Sequence, residues 1–221
     1  MTIHEMSDVF ADNRVIAYIA IFIAAILWGT PYTVVKIGLS VLSPPLPAIG
    51  FLMLRFSIAL LLLLPLLVIS STRHDISILL KNRFIALLGF INASAYVLQF
   101  LGQVGTTAAI ATLMANMYLI STPILSSYVL REKISSRLKL ALMGGLCGAI
   151  IVTMSVSNEV AKDDKLVFFL SVLLVLCSGL IWGAYAVISS IINQKSKELG
   201  IDEMANPLAV FISSNFYSVI V

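Results

Sequence analysis

Charged residues are scarce in this 221-residue sequence. Asp, Glu, Lys and Arg make up only 11% of it, whereas 60% of its residues are hydrophobic. A soluble domain carries about 25% charge. Apolar runs of at least about 18 residues recur along the chain, and such runs are long enough to span a bilayer. The composition therefore predicts an all-α fold, a polytopic bundle of membrane helices.

Cysteine and histidine are each present only twice. Cys147 and Cys177 lie within apolar runs, and His4 and His74 lie outside them. Without a CxxC pair or a Cys/His cluster, the sequence predicts no metal site, no disulfide and no cofactor. Lys and Arg form no cluster on a soluble surface, so a nucleic-acid partner is not expected.

Acidic residues are missing from every predicted span. An intramembrane enzyme needs a nucleophile–base pair or metal ligands inside the bilayer. Because the spans contain no Asp, Glu or His, we expect that the protein is not an enzyme.

Polar segments divide the apolar sequence into six predicted spans and a shorter seventh run. The spans cover about residues 15–39, 46–70, 84–104, 108–130, 140–156 and 166–192, and the last run covers 207–221. Residues 84–130 contain no charge, yet these 47 residues would form about 70 Å of helix, enough for two crossings. We therefore place a turn at Gly102 and Gly105 and expect Thr106 or Thr107 to cap the next helix.

The seventh run is shorter than the ~20 residues that a span needs. We interpret the sequence as a fragment of a longer protein. The alternative is a C-terminal segment that inserts only partly into the membrane.

Positive charge predicts the orientation. The N-terminal tail, residues 1–14, and the polar loops on its side of the membrane hold most of the Lys and Arg residues, including Arg73, Lys81 and Arg83 in the loop after the second span. Positively charged loops stay in the cytoplasm. We expect a multi-pass protein of the plasma membrane with a cytoplasmic N-terminus.

Tryptophan occurs only at two positions, and both are followed by glycine. Trp28-Gly29 lies late in the first span, and Trp182-Gly183 lies late in the sixth, which crosses in the opposite direction. This recurrence of Trp-Gly in two oppositely directed spans predicts an inverted repeat. The alternative is two unrelated helices with interfacial tryptophans.

A series of short motifs is distributed along the first five spans. It comprises Leu27-Trp28-Gly29, Lys36-Ile37-Gly38, Leu54-Arg55-Phe56, the turn at residues 105–108, Asn116, the segment LREKIS at 130–135 and Gly144-Gly145. In order and spacing the series resembles the drug/metabolite transporter superfamily, specifically the EamA-type ten-helix transporters. The resemblance covers a five-helix repeat at residues 15–156 and the beginning of a second at 166–221.

The resemblance implies a secondary transporter that moves small organic metabolites or drugs by alternating access between inverted halves. It implies ten spans, of which about three would be absent, so we expect that these 221 residues cannot transport alone. A non-transporting membrane scaffold or receptor is the alternative. The expected partners are a small-molecule substrate and the lipid bilayer.

Two positions depart from the pattern of the family. Arg131 stands where such proteins often have glycine, and Leu119 stands where they often have proline. Pro123 lies one turn later, which would shift the kink of the fourth span. Gly144 and Gly148 form a GxxxG motif, for which packing inside the bundle and homodimerisation are both open interpretations.

Polar side chains within the spans are the candidates for a substrate path. Asn92, Tyr96, Gln99 and Gln103 share one helical face, and Asn116 lies near the middle of its span. Such a face is either a polar wall or a set of interhelical hydrogen bonds worth about 0.6 kcal/mol each. The full set of candidates is Trp28, Tyr32, Arg55, Asn92, Tyr96, Gln99, Asn116, Trp182 and Tyr185.

Arg55 and Lys36 are the two cations within the spans. An intramembrane Arg is a functional candidate, and Arg55 could meet an anionic substrate, a helix C-terminus or an acid in another part of the protein, or it could reach outward. Lys36 lies near the end of its span, where we expect its side chain to extend to the membrane surface.

Overall fold

The computed structural model describes residues 3–41, 46–65, 70–160, 164–195 and 206–220. Within these ranges the regular structure is helical throughout. The helices are α1 (Ile3–Val41), α2 (Leu46–Leu63), α3 (Ser70–Leu79), α4 (Arg83–Val104), α5 (Ala108–Ala115), α6 (Tyr118–Val129), α7 (Ser136–Val160), α8 (Lys165–Lys195) and α9 (Asn206–Ile220).

Five stretches of the described chain are long and apolar enough to cross a membrane. They are Tyr18–Ser40, Arg83–Val104, Ala108–Val129, Ser136–Ser155 and Lys165–Lys195. Large apolar side chains cover the outer surfaces of these helices, such as Leu140 and Ile151 of α7, which are 73% and 67% exposed. Lipid is the solvent that suits such a surface. The protein is a polytopic helical membrane bundle, as its composition predicts.

Helices α4 and α8 form the centre of the bundle, and α9 packs against α4 beside them. The two central helices approach closely at Gly102, where an added Cβ atom would lie 2.6 Å from the carbonyl oxygen of Ser171. The predicted turn after α4 forms at Gly105, the C-cap residue of this helix, and the Thr107 hydroxyl caps the next helix by accepting a hydrogen bond from the Ile110 amide at 3.2 Å. Gly102, which was also expected at the turn, lies inside α4 instead.

Two glycines of α8 bring it against α5 and α6. An added Cβ atom at Gly179 would lie 2.5 Å from the carbonyl oxygen of Met114, and one at Gly183 would lie 2.9 Å from the Ser121 Cβ atom. This Gly179-x-x-x-Gly183 contact was not recognised from the sequence. By contrast, an added Cβ atom at Gly144 or Gly148 of α7 would meet no atom of another described helix within 4 Å. These glycines therefore do not mediate packing among the described helices, and dimerisation stays an open interpretation of the motif.

The polar loop predicted after the second span contains a helix. In α3, Ile76 and Leu79 are buried with Ile85 and Val210 in an apolar cluster, and Asp75 is also buried. Apolar residues on one face of a short polar helix give it an amphipathic character, which counting charges overlooks. The span predicted for residues 46–70 is correspondingly shorter: α2 ends at Leu63, and residues 66–69 lie outside the described residues.

The predicted boundary between the tail and the first span does not coincide with a helix end. Helix α1 begins at Ile3. Residues 3–14 contain neither Gly nor Pro, so nothing in the sequence interrupts the helix before the apolar run.

The fourth span is broken near its middle. Helix α5 ends at Ala115, with Asn116 as its C-cap residue, and α6 begins at Tyr118. Between them the amides of Met117 and Ile120 donate to the third preceding carbonyl, at 3.1 and 3.0 Å, which is the tighter 3₁₀ pattern. The interruption therefore precedes Pro123, which lies inside α6.

Candidate functional site

A cavity of about 830 Å³ lies in the bundle and is bordered by α1, α2, α4, α8 and the α5–α6 break. It reaches from Gln99 of α4 and Tyr32 of α1 to Gln194, which is exposed near the C-terminus of α8. We call the end at Gln194 the open end. The lining residues are Ala24, Leu27, Trp28, Pro31, Tyr32, Arg55, Tyr96, Gln99, Ala115, Tyr118, Trp182, Tyr185, Ala186, Ser189, Ser190, Asn193 and Gln194.

Aromatic rings form much of the wall. The Tyr96 and Trp182 ring centres are 4.8 Å apart with planes at 87°, and Trp182 and Tyr185 are 5.5 Å apart at 70°. Such edge-to-face pairs add about 0.5–1.5 kcal/mol beyond their burial. The Tyr185 hydroxyl also lies 3.1 Å from the Ser214 hydroxyl of α9. These contacts fix the ring positions and give the cavity a defined shape.

Arg55 is the one charged residue among those that line the cavity. Its guanidinium carbon lies 4.8 Å from the Tyr96 ring centre and 6.0 Å from that of Phe100. One guanidinium nitrogen is 3.5 Å from the Tyr96 hydroxyl, a long hydrogen bond. Cation–π contact is thus the main interaction that positions this side chain.

The end of the cavity at Gln99 and Tyr32 lies next to buried side chains, and we call it the closed end. Gln103 and Ile110 are fully buried there. The Lys36 ammonium donates to the carbonyl oxygens of Gln103 at 2.8 Å and Val104 at 2.9 Å, at the C-terminus of α4. A cation is favoured at this end of a helix. The expectation that Lys36 extends to the membrane surface is therefore wrong.

The structure brings together most of the residues that were candidates for the substrate path. Those that line the cavity are Trp28, Tyr32, Arg55, Tyr96, Gln99, Trp182 and Tyr185. Asn92 and Asn116 are not among the lining residues. The Asn92 amide donates to the Ser218 hydroxyl of α9 at 2.9 Å. Asn116 is the C-cap residue of α5. The expectation that Asn92 faces the cavity is wrong, because α9 covers the first part of the polar face of α4.

The polar part of the α8 wall was missed in the sequence. Ser189, Ser190, Asn193 and Gln194 continue the face that begins with Trp182 and Tyr185. They follow at intervals of three and four residues, which is the spacing of one helical face. That periodicity was the available signal.

Arg131 and Glu132 follow the α6 helix. Arg131 has a φ of 57°, a left-handed conformation that glycine adopts without strain. This accounts for the glycine that similar proteins often have there. The Glu132 carboxylate accepts a hydrogen bond from the Ser126 hydroxyl.

Comparisons with curated proteins and with solved structures gave no match. The model of the EamA-like transporter family matches residues 15–154. The match extends from α1 into α7 and includes the cavity residues of α1, α2 and α4 and those at the α5–α6 break. By this match over more than half of its length, the chain belongs to the EamA-like transporter family.

Proposed function

We propose that the protein is a secondary transporter of small organic metabolites or drugs that works by alternating access, with the cavity as its substrate site. The observation that carries this proposal is a cavity whose lining extends from Gln194, near the C-terminus of α8, into the bundle as far as Gln99 and Tyr32. A transporter caught with access from one side has this arrangement, with its site near the bilayer midplane.

The size and lining of the cavity favour a small organic substrate. Small-molecule sites commonly measure about 300–1,000 Å³ and combine apolar walls with a few polar groups. The cavity, at about 830 Å³, combines aromatic rings with the Gln99 amide and the Arg55 guanidinium. From the positive-inside orientation we infer that the protein lies in the plasma membrane with the open end of the cavity facing the cytoplasm.

The closed end has the polar groups that a second pathway needs. The Gln103 amide and the Thr106 hydroxyl are buried there, and neither has a hydrogen-bond partner within the described chain. A buried polar group without a partner costs about 1–3 kcal/mol. An opposite state, in which Lys36 releases the end of α4, would expose both groups to water and remove that cost.

A two-sided accessibility experiment tests the proposal without knowledge of the substrate. Gln99→Cys would be introduced after Cys147 and Cys177 are replaced by alanine, in the protein expressed from its complete gene. An impermeant thiol reagent is then applied to right-side-out and to inside-out vesicles. We expect labelling from both sides, since alternating access exposes Gln99 to each in turn.

The matched control is Leu88→Cys, a fully buried position on the same helix that packs in the apolar cluster with α3 and α9 and does not line the cavity. It should stay unlabelled from either side. Labelling of Gln99→Cys from one side only, under every condition tried, would contradict alternating access and favour a scaffold or receptor.

A further inference from the structure

We propose that the cavity selects small organic anions with one negatively charged group and a flat apolar body. This inference rests on the proposed function and narrows its substrate class. It depends on how Arg55 is placed relative to the aromatic wall.

Among the described residues, the charge of Arg55 has no acidic counterpart in the cavity. No Asp or Glu is among the lining residues, and the groups that contact the guanidinium are the Tyr96 and Phe100 rings and the Tyr96 hydroxyl. An Arg remains charged at any physiological pH, and a charge within a membrane is costly. An anionic ligand would supply the missing negative charge.

The guanidinium is also suited to an oxyanion by its geometry. It has five N–H donors in a plane, and one of its nitrogens approaches the Tyr96 hydroxyl at 3.5 Å. Two parallel N–H groups can bind both oxygens of a carboxylate or sulfonate. The Tyr96 ring, 4.8 Å from the guanidinium carbon, holds this plane in position.

The apolar body of the ligand is inferred from the rings beside Arg55. Trp182 lies edge-to-face with Tyr96 at 4.8 Å, and Tyr185 continues the wall. Flat apolar groups pack well against such rings. Aromatic walls can also bind organic cations, but here Arg55 already occupies a position over Tyr96 and would repel a second cation.

Equilibrium dialysis of the nanodisc-embedded protein, expressed from its complete gene, tests the inference with three naphthalene probes of matched shape. They are radiolabelled naphthalene-2-sulfonate, naphthalene-2-sulfonamide and 2-naphthyltrimethylammonium, and empty nanodiscs correct for binding to lipid. We expect saturable sulfonate binding at least tenfold tighter than that of the neutral sulfonamide, and no saturable binding of the ammonium probe.

Arg55→Gln should weaken sulfonate binding by roughly ten- to a hundredfold, which corresponds to charge-assisted hydrogen bonds worth about 1.5–3 kcal/mol. Sulfonamide binding should change less than threefold. If Arg55→Gln does not fold, Arg55→Lys replaces it. Lys keeps the charge but loses the planar pair of donors, so it should retain the preference for the anion with an intermediate loss of affinity.

Equal or tighter binding of the ammonium probe, or sulfonate binding unchanged in the Arg55 variant, would overturn the inference. Displacement of the sulfonate by chloride at equal concentration would overturn the role of the apolar body. These outcomes leave the two-sided labelling of Gln99→Cys unaffected, so they are distinguishable from a failure of the transport proposal. If the protein binds the anionic probe selectively but Gln99→Cys is labelled from one side only, this inference stands and the proposal of alternating-access transport is contradicted.

Discussion

The ammonium nitrogen of Lys36 lies 2.8 Å from the backbone carbonyl oxygen of Gln103. This hydrogen bond joins the distal part of α1 to the last turn of α4, where carbonyl groups have no partner within the helix. Both residues lie beyond the closed end of the cavity. The pair thus connects α1 and α4 next to the closed end of the cavity.

Replacing Lys36 should loosen the closed end. Lys36→Met keeps an unbranched side chain but removes the ammonium and both of its hydrogen bonds. Loss of hydrogen bonds from a charged group costs about 1.5–3 kcal/mol each. We expect faster labelling of Gln99→Cys through the closed end and a lower melting temperature. Lys165→Met, at the exposed start of α8, is the control and should change neither. An unchanged labelling rate in Lys36→Met would mean that this contact does not restrict access.

Substituting Gly179 should disrupt the contact between α8 and α5. The Cβ atom of Gly179→Ala would lie 2.5 Å from the carbonyl oxygen of Met114 and 2.7 Å from that of Ala115. Backbone atoms cannot move aside cheaply, so we expect overpacking to destabilise the protein by about 1–3 kcal/mol. This outweighs the roughly 0.5–1 kcal/mol that alanine gains over glycine in a helix. Thermal unfolding in detergent measures the difference.

Gly144→Ala is the matched control for that substitution, since open space surrounds Gly144 in the described chain. It should be neutral or slightly stabilising. Equal melting temperatures of the two alanine variants would contradict the close approach of α8 to α5.

Arg131→Gly should be neutral or should stabilise the protein by up to about 1 kcal/mol. A left-handed backbone costs a non-glycine residue about 1–2 kcal/mol, and glycine removes that cost while adding freedom to the unfolded chain. Lys133→Gly in the same loop lacks the benefit, because Arg131 is the non-glycine residue with positive φ among those described. Thermal melts should rank Arg131→Gly above Lys133→Gly; the reverse order would argue against the left-handed conformation.

The ends of α8 test the membrane orientation. Lys165 and Lys195 are both exposed, at the two ends of this helix. In a background lacking Cys147 and Cys177, we expect Lys195→Cys to react with an impermeant reagent from the cytoplasmic side and Lys165→Cys from the outside. The opposite pattern would reverse the orientation and place the open end of the cavity outside the cell.

The predictability of the fold follows from what each feature depends on. Apolar runs determine where helices can span a membrane, so the main helices and the Thr107 cap were foreseeable from local sequence. Helix α3 was not, because Ile76 and Leu79 become a buried face only where α9 packs on them. Gly179 lies in the apolar sequence of α8, and its role depends on the approach of the Met114 carbonyl.

The candidate site was foreseeable to a similar extent. Helical phase correctly grouped Tyr96 with Gln99, and the recurrence of Trp-Gly pointed to Trp28 and Trp182 as cavity residues. The same helical spacing placed Asn92 on the face of Tyr96 and Gln99. Which part of that face lines the cavity depends on the neighbouring helix, and the Asn92 amide donates to Ser218 of α9. The partners of Arg55 and Lys36 likewise depend on tertiary contacts that no local pattern contains.

Solute uptake with the cavity deliberately filled tests the central claim most directly. Proteoliposomes containing the protein from its complete gene, without Cys147 and Cys177, would be supplied with a panel of radiolabelled small organic acids, bases and neutral metabolites. Ala186→Cys in the cavity wall and Ser155→Cys on the exposed surface of α7 would each be modified with the same bulky maleimide. We expect saturable uptake of at least one solute, abolished by the modification at residue 186 and retained after modification at residue 155. Absence of saturable uptake for the whole panel, or uptake that persists with the cavity filled, would contradict the assignment of the cavity as a transport site.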